Sequence, residues 1–510
     1  MVERNIERYA RQIILQNIGF EGQERIFKSK ICLVGMGGLG CPVSLQLVSM
    51  GVGYLRIVDR DIVSLTDLHR QYLYTPKDVG KTKVEVAYER LKDINPEVNI
   101  DPYPVAVTDY NVEDLVNDCD FVIDCTDSIK ARYLLNRAKE IAVKKGFKII
   151  DFGVGDPTEP LYEGAIKALQ EGAVKHARSG YPSYIGMKDL REKCSEWIKR
   201  RFNVYMDPEE QITITAGAKE AIFHFPMAFL NDGDEALIPS IGYPPYKAGT
   251  VFAGGRPVYY KLKEENDFLP DPEEIKKLIK ENRNVKLIYL NYPNNPTSKL
   301  ATRKIYEELV EISNEYDIIL ASDECYCEIY FDEKPISILN VTDDYKNIVV
   351  FNSLSKRSNA TGLRVGFVYG DKEIIKYFRM LKMQIDSGIP NSIQEAAIAA
   401  LSDEKHVEDN RELYRMKHDI LIKSLKELNI KYYAESTFYV WARLSENTME
   451  TSKNLLELDK EKRIGINVTP SKMLSLDPEE TLNSYVRFAL VPSVEDIQLA
   501  SELLLKNPWK

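Results

Sequence analysis

Lys356 and Arg364 stand eight residues apart in the stretch 352–366 (NSLSKRSNATGLRVG), and their types and spacing could do chemistry. The apolar run 347–351 (NIVVF) before them reads as a buried strand, and the lysine sits in a serine-rich turn at its end. A lysine desolvated at a strand end loses its proton more readily and can condense with an aldehyde. Arg364 offers a rigid fork of donors that suits a dianionic phosphate. Together the two side chains suit a phosphorylated aldehyde. Alone, the same pair also describes a basic surface turn, so the weight falls on residues elsewhere in the chain.

The elements that must position them begin near residue 151 with the backbone turn GVGDP. SGYPSYIGMKDLR (179–191) leads into a helix. Residues 211–215 alternate as a strand, and Ala216-Gly217-Ala218-Lys219 opens a helix through Leu230, a helix N-terminus suited to phosphate. GYPPY (242–246) puts Tyr243 in a tight turn, where its ring can stack on a flat partner. The strand 287–290 runs into NYPNNPT (291–297), and the strand 318–321 runs into SDECY (322–326). Strands alternating with helices predict a mostly parallel sheet with functional residues at the strands' carboxyl ends. From Ser392 the pattern turns helical, with a short terminal strand (484–489) that carries Arg487, which predicts a second, smaller subdomain.

NNPT, the Asp-x-x-Tyr of Asp323 and Tyr326, SLSK and an arginine eight residues after the lysine occur together. On these motifs residues 150–510 resemble the fold-type I pyridoxal-phosphate aminotransferases of class I/II. The resemblance implies Lys356 as the Schiff-base lysine, Asp323 as partner of the pyridine nitrogen, and Asn295 and Tyr326 as partners of the ring oxygen. It implies Tyr243 stacked on the ring, and Gly217, Ala218, Lys219, Ser353, Ser355 and Arg364 around the phosphate. Tyr181 would enter from the partner subunit of a homodimer. Gly155, Asn295 and Arg487 would receive the substrate. Physically, a buried aspartate keeps the pyridine nitrogen protonated, and Lys356 becomes the base that moves a proton from Cα. Arg487 can grip a carboxylate through two parallel hydrogen bonds.

AKEAIFHFPMAFLNDGD, GYPPYKAGTVFAGG and KEENDFLPD are similar to LL-diaminopimelate aminotransferases; SLSKRSNATGLRVGF and RFALVPSVEDI are more similar to N-succinyldiaminopimelate aminotransferases. Both imply amino-acid and 2-oxo-acid substrates of lysine biosynthesis, with glutamate and 2-oxoglutarate as the other pair. Ser298 departs from the glycine usual after NNPT, and Ser436-Thr437 from a glycine-containing turn. The arm that normally precedes GVGDP is replaced by a different segment.

In that segment, residues 30–34 read as a strand, followed by GMGGLG (35–40) and a helix from Pro42. Such glycines bring backbone N–H groups onto phosphate at a helix N-terminus. A second strand, 54–58, ends in Asp59-Arg60-Asp61, at the distance where an acid takes a ribose hydroxyl. ERYARQIIL, GMGGLG, VDRDIVSLTDLHRQ, GKTK (80–83) and DCTDS (124–128) keep the order and spacing of one family. About residues 1–140 resemble the ThiF/MoeB/HesA adenylating enzymes, the ubiquitin-activating-like fold. That resemblance implies ATP on Gly35, Gly37 and Gly38, with Asp59 on the ribose, Arg70 and Lys83 on the phosphates, Mg²⁺ on Asp127, and Arg11 reaching across a dimer. It also implies a ubiquitin-like sulfur-carrier protein as partner. Asp67 and Ser128 stand where that family usually has Asn, and its second half, with paired zinc-ligand cysteines, is missing.

The expected fold class is α/β: a Rossmann-like half-domain (1–140), then a fold-type I transferase (141–510). Its large domain spans about 178–390, and its small α+β domain 150–177 plus 391–510. A helix at 129–145 and a strand at 147–152 join the halves, with no low-complexity linker. A chain of 510 residues with 44% hydrophobic and 29% charged residues suits a multidomain enzyme. The net charge of −10 argues against nucleic acid, and the run 199–201 reads as the solvated end of a helix. Seven scattered cysteines, without a C-x-x-C pair, and a charged N-terminus without an apolar core predict a cytoplasmic protein with neither zinc site nor membrane span. Four other readings stay open: adenylation of a carrier-protein C-terminus or small carboxylate, a nucleotide that only regulates, a lyase or decarboxylase using the same cofactor, and a fusion with an inert first half.

Overall fold

Isoleucine, leucine and valine fill the strands β1 (Lys30–Val34) and β2 (Tyr54–Val58), and four of five positions in each are buried. Both faces are therefore covered, as an apolar run without alternation requires. In the computed structural model, which describes residues 6–15, 18–68, 71–108, 111–125, 148–282, 284–456, 458–459, 462 and 464–506, the chain forms two units, Met1–Gly146 and Phe147–Lys510.

In the first unit, β3 (Asn99–Tyr103) and β4 (Phe121–Asp124) complete a parallel sheet of order β3-β2-β1-β4. The chain runs outward from β1 to β3 and returns on the other side of β1 with β4. That reversal is the crevice where open α/β sheets bind ligands. The glycine turn after β1 leads into the helix Gly40–Met50. A Cβ on Gly40 would lie 1.8 Å from Gly35 O, so only glycine permits this closure. Ahead of β1 lie a 3-10 turn, Ile6–Tyr9, and helices Ala10–Ile13 and Gly19–Lys28. The helix expected over 129–145 lies outside the described residues.

The second unit begins with β5 (Lys148–Asp151). Its main sheet contains β6 (Ile212–Thr215), β7 (Glu235–Pro239), β8 (Arg256–Tyr260), β9 (Val285–Asn291), β10 (Ile319–Asp323), β11 (Ile348–Ser353) and β12 (Gly366–Gly370). The order is β6-β12-β11-β10-β9-β7-β8, parallel except for β12, which runs against both neighbours. β9, β10 and β11 are adjacent, so their carboxyl ends open side by side.

The C-terminal region carries more strand than its sequence pattern predicts. β13 (Tyr432–Tyr433), β14 (Tyr439–Arg443), β16 (Thr469–Pro470) and β17 (Tyr485–Ala489) form an antiparallel sheet, and β15 (Ile464–Asn467) pairs in parallel with β5. Segments of two to five residues are too short for alternation to show beside the long helix Lys405–Glu427. The basic run 199–201 is solvated at Lys199 and Arg200 but not at Arg201. Arg201, in the last turn of Lys188–Phe202, has a side chain only 7% exposed; it pairs with Glu328 at 3.5 Å and donates to Cys327 O and Pro335 O. It ties the helix to the chain after β10 and is not solvated. Among the described residues no helix is long and apolar enough to cross a membrane.

Candidate active site

Three adjacent strand ends supply the floor of a cavity of about 710 Å³ in the second unit. β9 ends in Asn291, β10 in Asp323 and β11 in Ser353, with Asp323 in register with Asn291 and Phe351. Asn291 Nδ2 donates to Asp323 O at 3.0 Å, locking the two ends together. Ser353 then caps the short helix Leu354–Arg357 by accepting from Ser355 N, and this turn projects Lys356 into the cavity. The lysine thus stands on a helical turn, one step further than the serine-rich loop its composition suggests.

Lys356 Nζ donates to Gly155 O at 2.6 Å and lies 5.3 Å from the Phe438 ring centre. Burial brings its pKa down to about 8; the positive charges of Arg487 and Arg364 act the same way, and Asp156 opposes them. Asp323 is fully enclosed. Burial pushes its carboxyl up, against the hydrogen bonds from Tyr246 Oη at 2.7 Å and Cys325 N at 3.2 Å. A carboxylate so placed gains most from a cation opposite it, and a protonated ring nitrogen is such a cation.

One wall gathers groups for a phosphate. The helix Ala218–Phe229 starts at the cavity with Ala218 and Lys219, and Arg364, Ser353 and Ser355 line the same space. Arg364 has φ +52° and donates to Thr361 O and Ala216 O. Gly217, at φ +80°, precedes the helix; a Cβ there would come within 2.3 Å of Arg364 Nη2. Only glycine lets the guanidinium approach. Tyr243 also lines the cavity, its ring edge-on to Tyr246 with centres 5.8 Å apart.

On another side Arg487, from β17, donates to Asn295 Oδ1 and Gly153 O, each at 2.8 Å, and its buried Nε has no partner among the described residues. Its guanidinium carbon lies 4.4 Å from the Tyr439 ring centre, and Tyr439 Oη meets Tyr326 Oη at 3.0 Å. Gly155 must be glycine, since a Cβ would fall 2.0 Å from Tyr439 Oη. Tyr181 does not join this cavity; it is fully exposed. Tyr246, Tyr439, Cys325 and Asp156 line the site without having been singled out by sequence. Tyr246 had a signal: it follows Tyr243 by three residues at a helix start, a spacing that brings side chains to one face.

In the first unit, Asp59 at the end of β2 accepts from Met36 N at 2.6 Å and Asp61 N at 2.8 Å. The glycine loop is thereby tied to the second strand at the crevice. Lys83 Nζ lies 3.3 Å from Asp61 and 3.6 Å from Asp67, so the added carboxylate at 67 is covered by a buried amine. Gly35 has φ +94°, Gly37 and Gly38 follow in the loop, and Arg11 is exposed on Ala10–Ile13. Arg70 and Asp127, the expected Mg²⁺ ligand, lie outside the described residues.

A lysine on the turn after a central strand, a buried aspartate at the next strand end and a phosphate cradle at a helix start define a fold-type I pyridoxal-phosphate enzyme. The family model for aminotransferase class I and II matches residues 148–501, and the chain belongs to that family, as a pyridoxal-phosphate-dependent aminotransferase. The ThiF family model matches residues 9–159, so the chain joins a ThiF domain to an aminotransferase. Both models claim 148–159, where β5 and the GVGDP turn lie. In the structure β5 pairs with β15, so this stretch is built into the second unit. The LL-diaminopimelate aminotransferase of Aquifex aeolicus is 40% identical over 315 residues, 61% of this chain and 81% of that one. The enzyme of the same name from Halothermothrix orenii is 39% identical over 374 residues, 72% and 93% of the two chains. Among solved structures, apo-BacF from Bacillus subtilis superposes with a TM-score of 0.68 at 30% identity, covering 76% of this chain and 98% of that one.

Proposed function

We propose that the second unit transfers an amino group between a diaminopimelate-type amino acid and a 2-oxo acid, with glutamate and 2-oxoglutarate as the other pair. The observation that carries this reading is the convergence of Lys356, Asp323, Arg364 and Arg487 on one cavity. The names of the relatives support the donor class. Bound there, pyridoxal phosphate supplies an electron sink for the charge that develops at the substrate Cα. Arg364, Lys219, Ser353, Ser355 and the N–H groups at Gly217 and Ala218 hold its phosphate. Asp323 keeps the pyridine nitrogen protonated, Tyr243 covers the ring, and Asn295 and Tyr326 face its oxygen. Lys356, as a neutral amine, would take the proton from the substrate Cα and deliver it to the cofactor's aldehyde-derived carbon, across the nitrogen that joins the two. Arg487 fixes the α-carboxylate beside Gly155 so that the Cα–H bond faces Lys356.

A homodimer completes this reading. Tyr181 points to solvent in a single copy, and Phe252, Met380 and Met383 are exposed on two helices packed against Ala218–Phe229. A second copy would cover that face and receive Tyr181 at its phosphate site. Seven free thiols suit a reducing cytoplasm.

For the first unit, the crevice at β1 and β4, the glycine turn and the Asp59 bridge support a nucleotide site, with ATP and Mg²⁺ as the ligand set. ATP–pyrophosphate exchange separates adenylation from regulation, since a purely regulatory nucleotide is not consumed.

The transaminase reading is tested by supplying pyridoxal phosphate and following its visible absorbance during addition of LL-diaminopimelate. The expected result is conversion to the amine form of the cofactor, then glutamate formation from 2-oxoglutarate. A chain that binds the cofactor but forms no glutamate, and instead releases carbon dioxide from LL-diaminopimelate or ammonia and pyruvate from serine, would be a decarboxylase or lyase.

A further inference from the structure

Six charged side chains line the active-site cavity: Asp156, Lys219, Asp323, Lys356, Arg364 and Arg487. On the aminotransferase reading, on which this inference rests, five of them have assigned partners. Lys219 and Arg364 face the phosphate, Asp323 the ring nitrogen, Lys356 the reacting carbon and Arg487 the α-carboxylate. Asp156 is left over. Its carboxylate makes no hydrogen bond or ion pair among the described residues, and it is exposed toward the cavity mouth. It directly follows Gly155, the residue whose carbonyl takes the Lys356 amine at 2.6 Å, so it sits within reach of what the reacting carbon carries. The negative field of Asp156 is felt at that amine, which it favours in the charged state.

The remaining charge decides which side chain the donor is allowed to have. A free carboxylate lining the cavity attracts a distal cation and repels a distal anion, and among the described residues no lining cation is left to offset it. We propose that Asp156 is a specificity-determining residue that receives the distal ammonium group of a seven-carbon amino donor and, among donors of that length, disfavours one ending in a carboxylate alone. A 2,6-diamino dicarboxylate carries such an ammonium. Acylation of its distal nitrogen, as in the N-succinyl compound, removes the charge and with it the contact.

The test compares kcat/KM for LL-2,6-diaminoheptanedioate and for 2-aminoheptanedioate, which lacks only the distal amine, in the pyridoxal-phosphate-loaded enzyme and its Asp156→Asn and Asp156→Glu variants. Calorimetric titration with heptanedioate, which cannot react, measures the distal repulsion apart from turnover. The wild type is expected to favour the diamino donor by about tenfold or more, and Asp156→Asn to cut that ratio by about tenfold. The same variant should bind heptanedioate about fivefold more tightly, and Asp156→Glu should keep the preference. A ratio and a heptanedioate affinity both within twofold of wild type in Asp156→Asn overturn the assignment while leaving the transaminase reading intact. Failure of every amino donor to convert the bound cofactor overturns both.

Discussion

Lys356 meets Gly155 through an amine-to-carbonyl hydrogen bond of 2.6 Å, and among the described residues no carboxylate is bonded to that amine. A neutral acceptor leaves the lysine free to lose its proton, and burial brings the pKa to about 8. The neutral amine is the form that attacks an aldehyde. Uptake of pyridoxal phosphate by the cofactor-free chain should therefore accelerate as pH rises from 7 to 9 and level off above. Stopped-flow absorbance measures this, and a flat profile would remove the desolvated lysine. The folded-state pKa lies below the unfolded one, so the unfolded chain binds the extra proton between about pH 8 and 10.5. This residue's contribution to stability consequently improves with pH across that window.

Tyr246 and Asp323 form a buried pair in which the phenol is the stronger of two donors to the carboxylate. Tyr246→Phe leaves the ring stacked on Tyr289 but strips that donor. We expect kcat to fall about tenfold and stability to drop by about 1–2 kcal/mol, read by steady-state kinetics and urea titration. Wild-type kinetics in the variant would mean that the hydroxyl does not tune Asp323.

Arg487 spreads its fork over Asn295 Oδ1 and Gly153 O, two neutral acceptors that a carboxylate can replace. Arg487→Lys keeps the charge and loses the fork. A cost of about 1.5–3 kcal/mol is expected, which lowers kcat/KM for α-amino acids roughly 10- to 150-fold, mostly through KM. An amine donor without an α-carboxylate should show little of this loss.

His224 and Asp386 brace the helix whose first turn lines the cavity. Their hydrogen bond of 3.1 Å holds the imidazole above its ordinary pKa. That contribution is complete below about pH 6.5 and fades as pH climbs through the raised value. Wild-type stability should exceed that of His224→Gln by about 0.5–1 kcal/mol at pH 6, and the gap should close by pH 9 in parallel urea titrations. A gap independent of pH would point to packing alone.

How far the sequence foretold these features varies with what made them. β1 and β2 were readable to the residue because their apolar runs lie between glycines and charges. β13, β14 and β16 were not, since two to five residues are too few to show a local pattern and their places follow from pairing with one another and with β17. In the site, Lys356, Asp323, Arg364 and Arg487 carried motif signals and line one cavity. Tyr439 carried none: its place follows from β14 pairing with β17, which sets Trp441 opposite Arg487. Arg201 misled in the other direction, because a basic helix end looks solvated until the buried Glu328 beneath it is known.

The pairing of β5 with β15 joins Asp151 to Asn467 across 316 residues. During translation the earlier strand emerges with no partner to complete it, and at 5–20 residues per second the wait is roughly 15–60 s. Any nascent or prematurely terminated chain that stops short of Ile464 therefore presents an open strand edge, which makes roughly the last tenth of the message a condition for protecting what was made first.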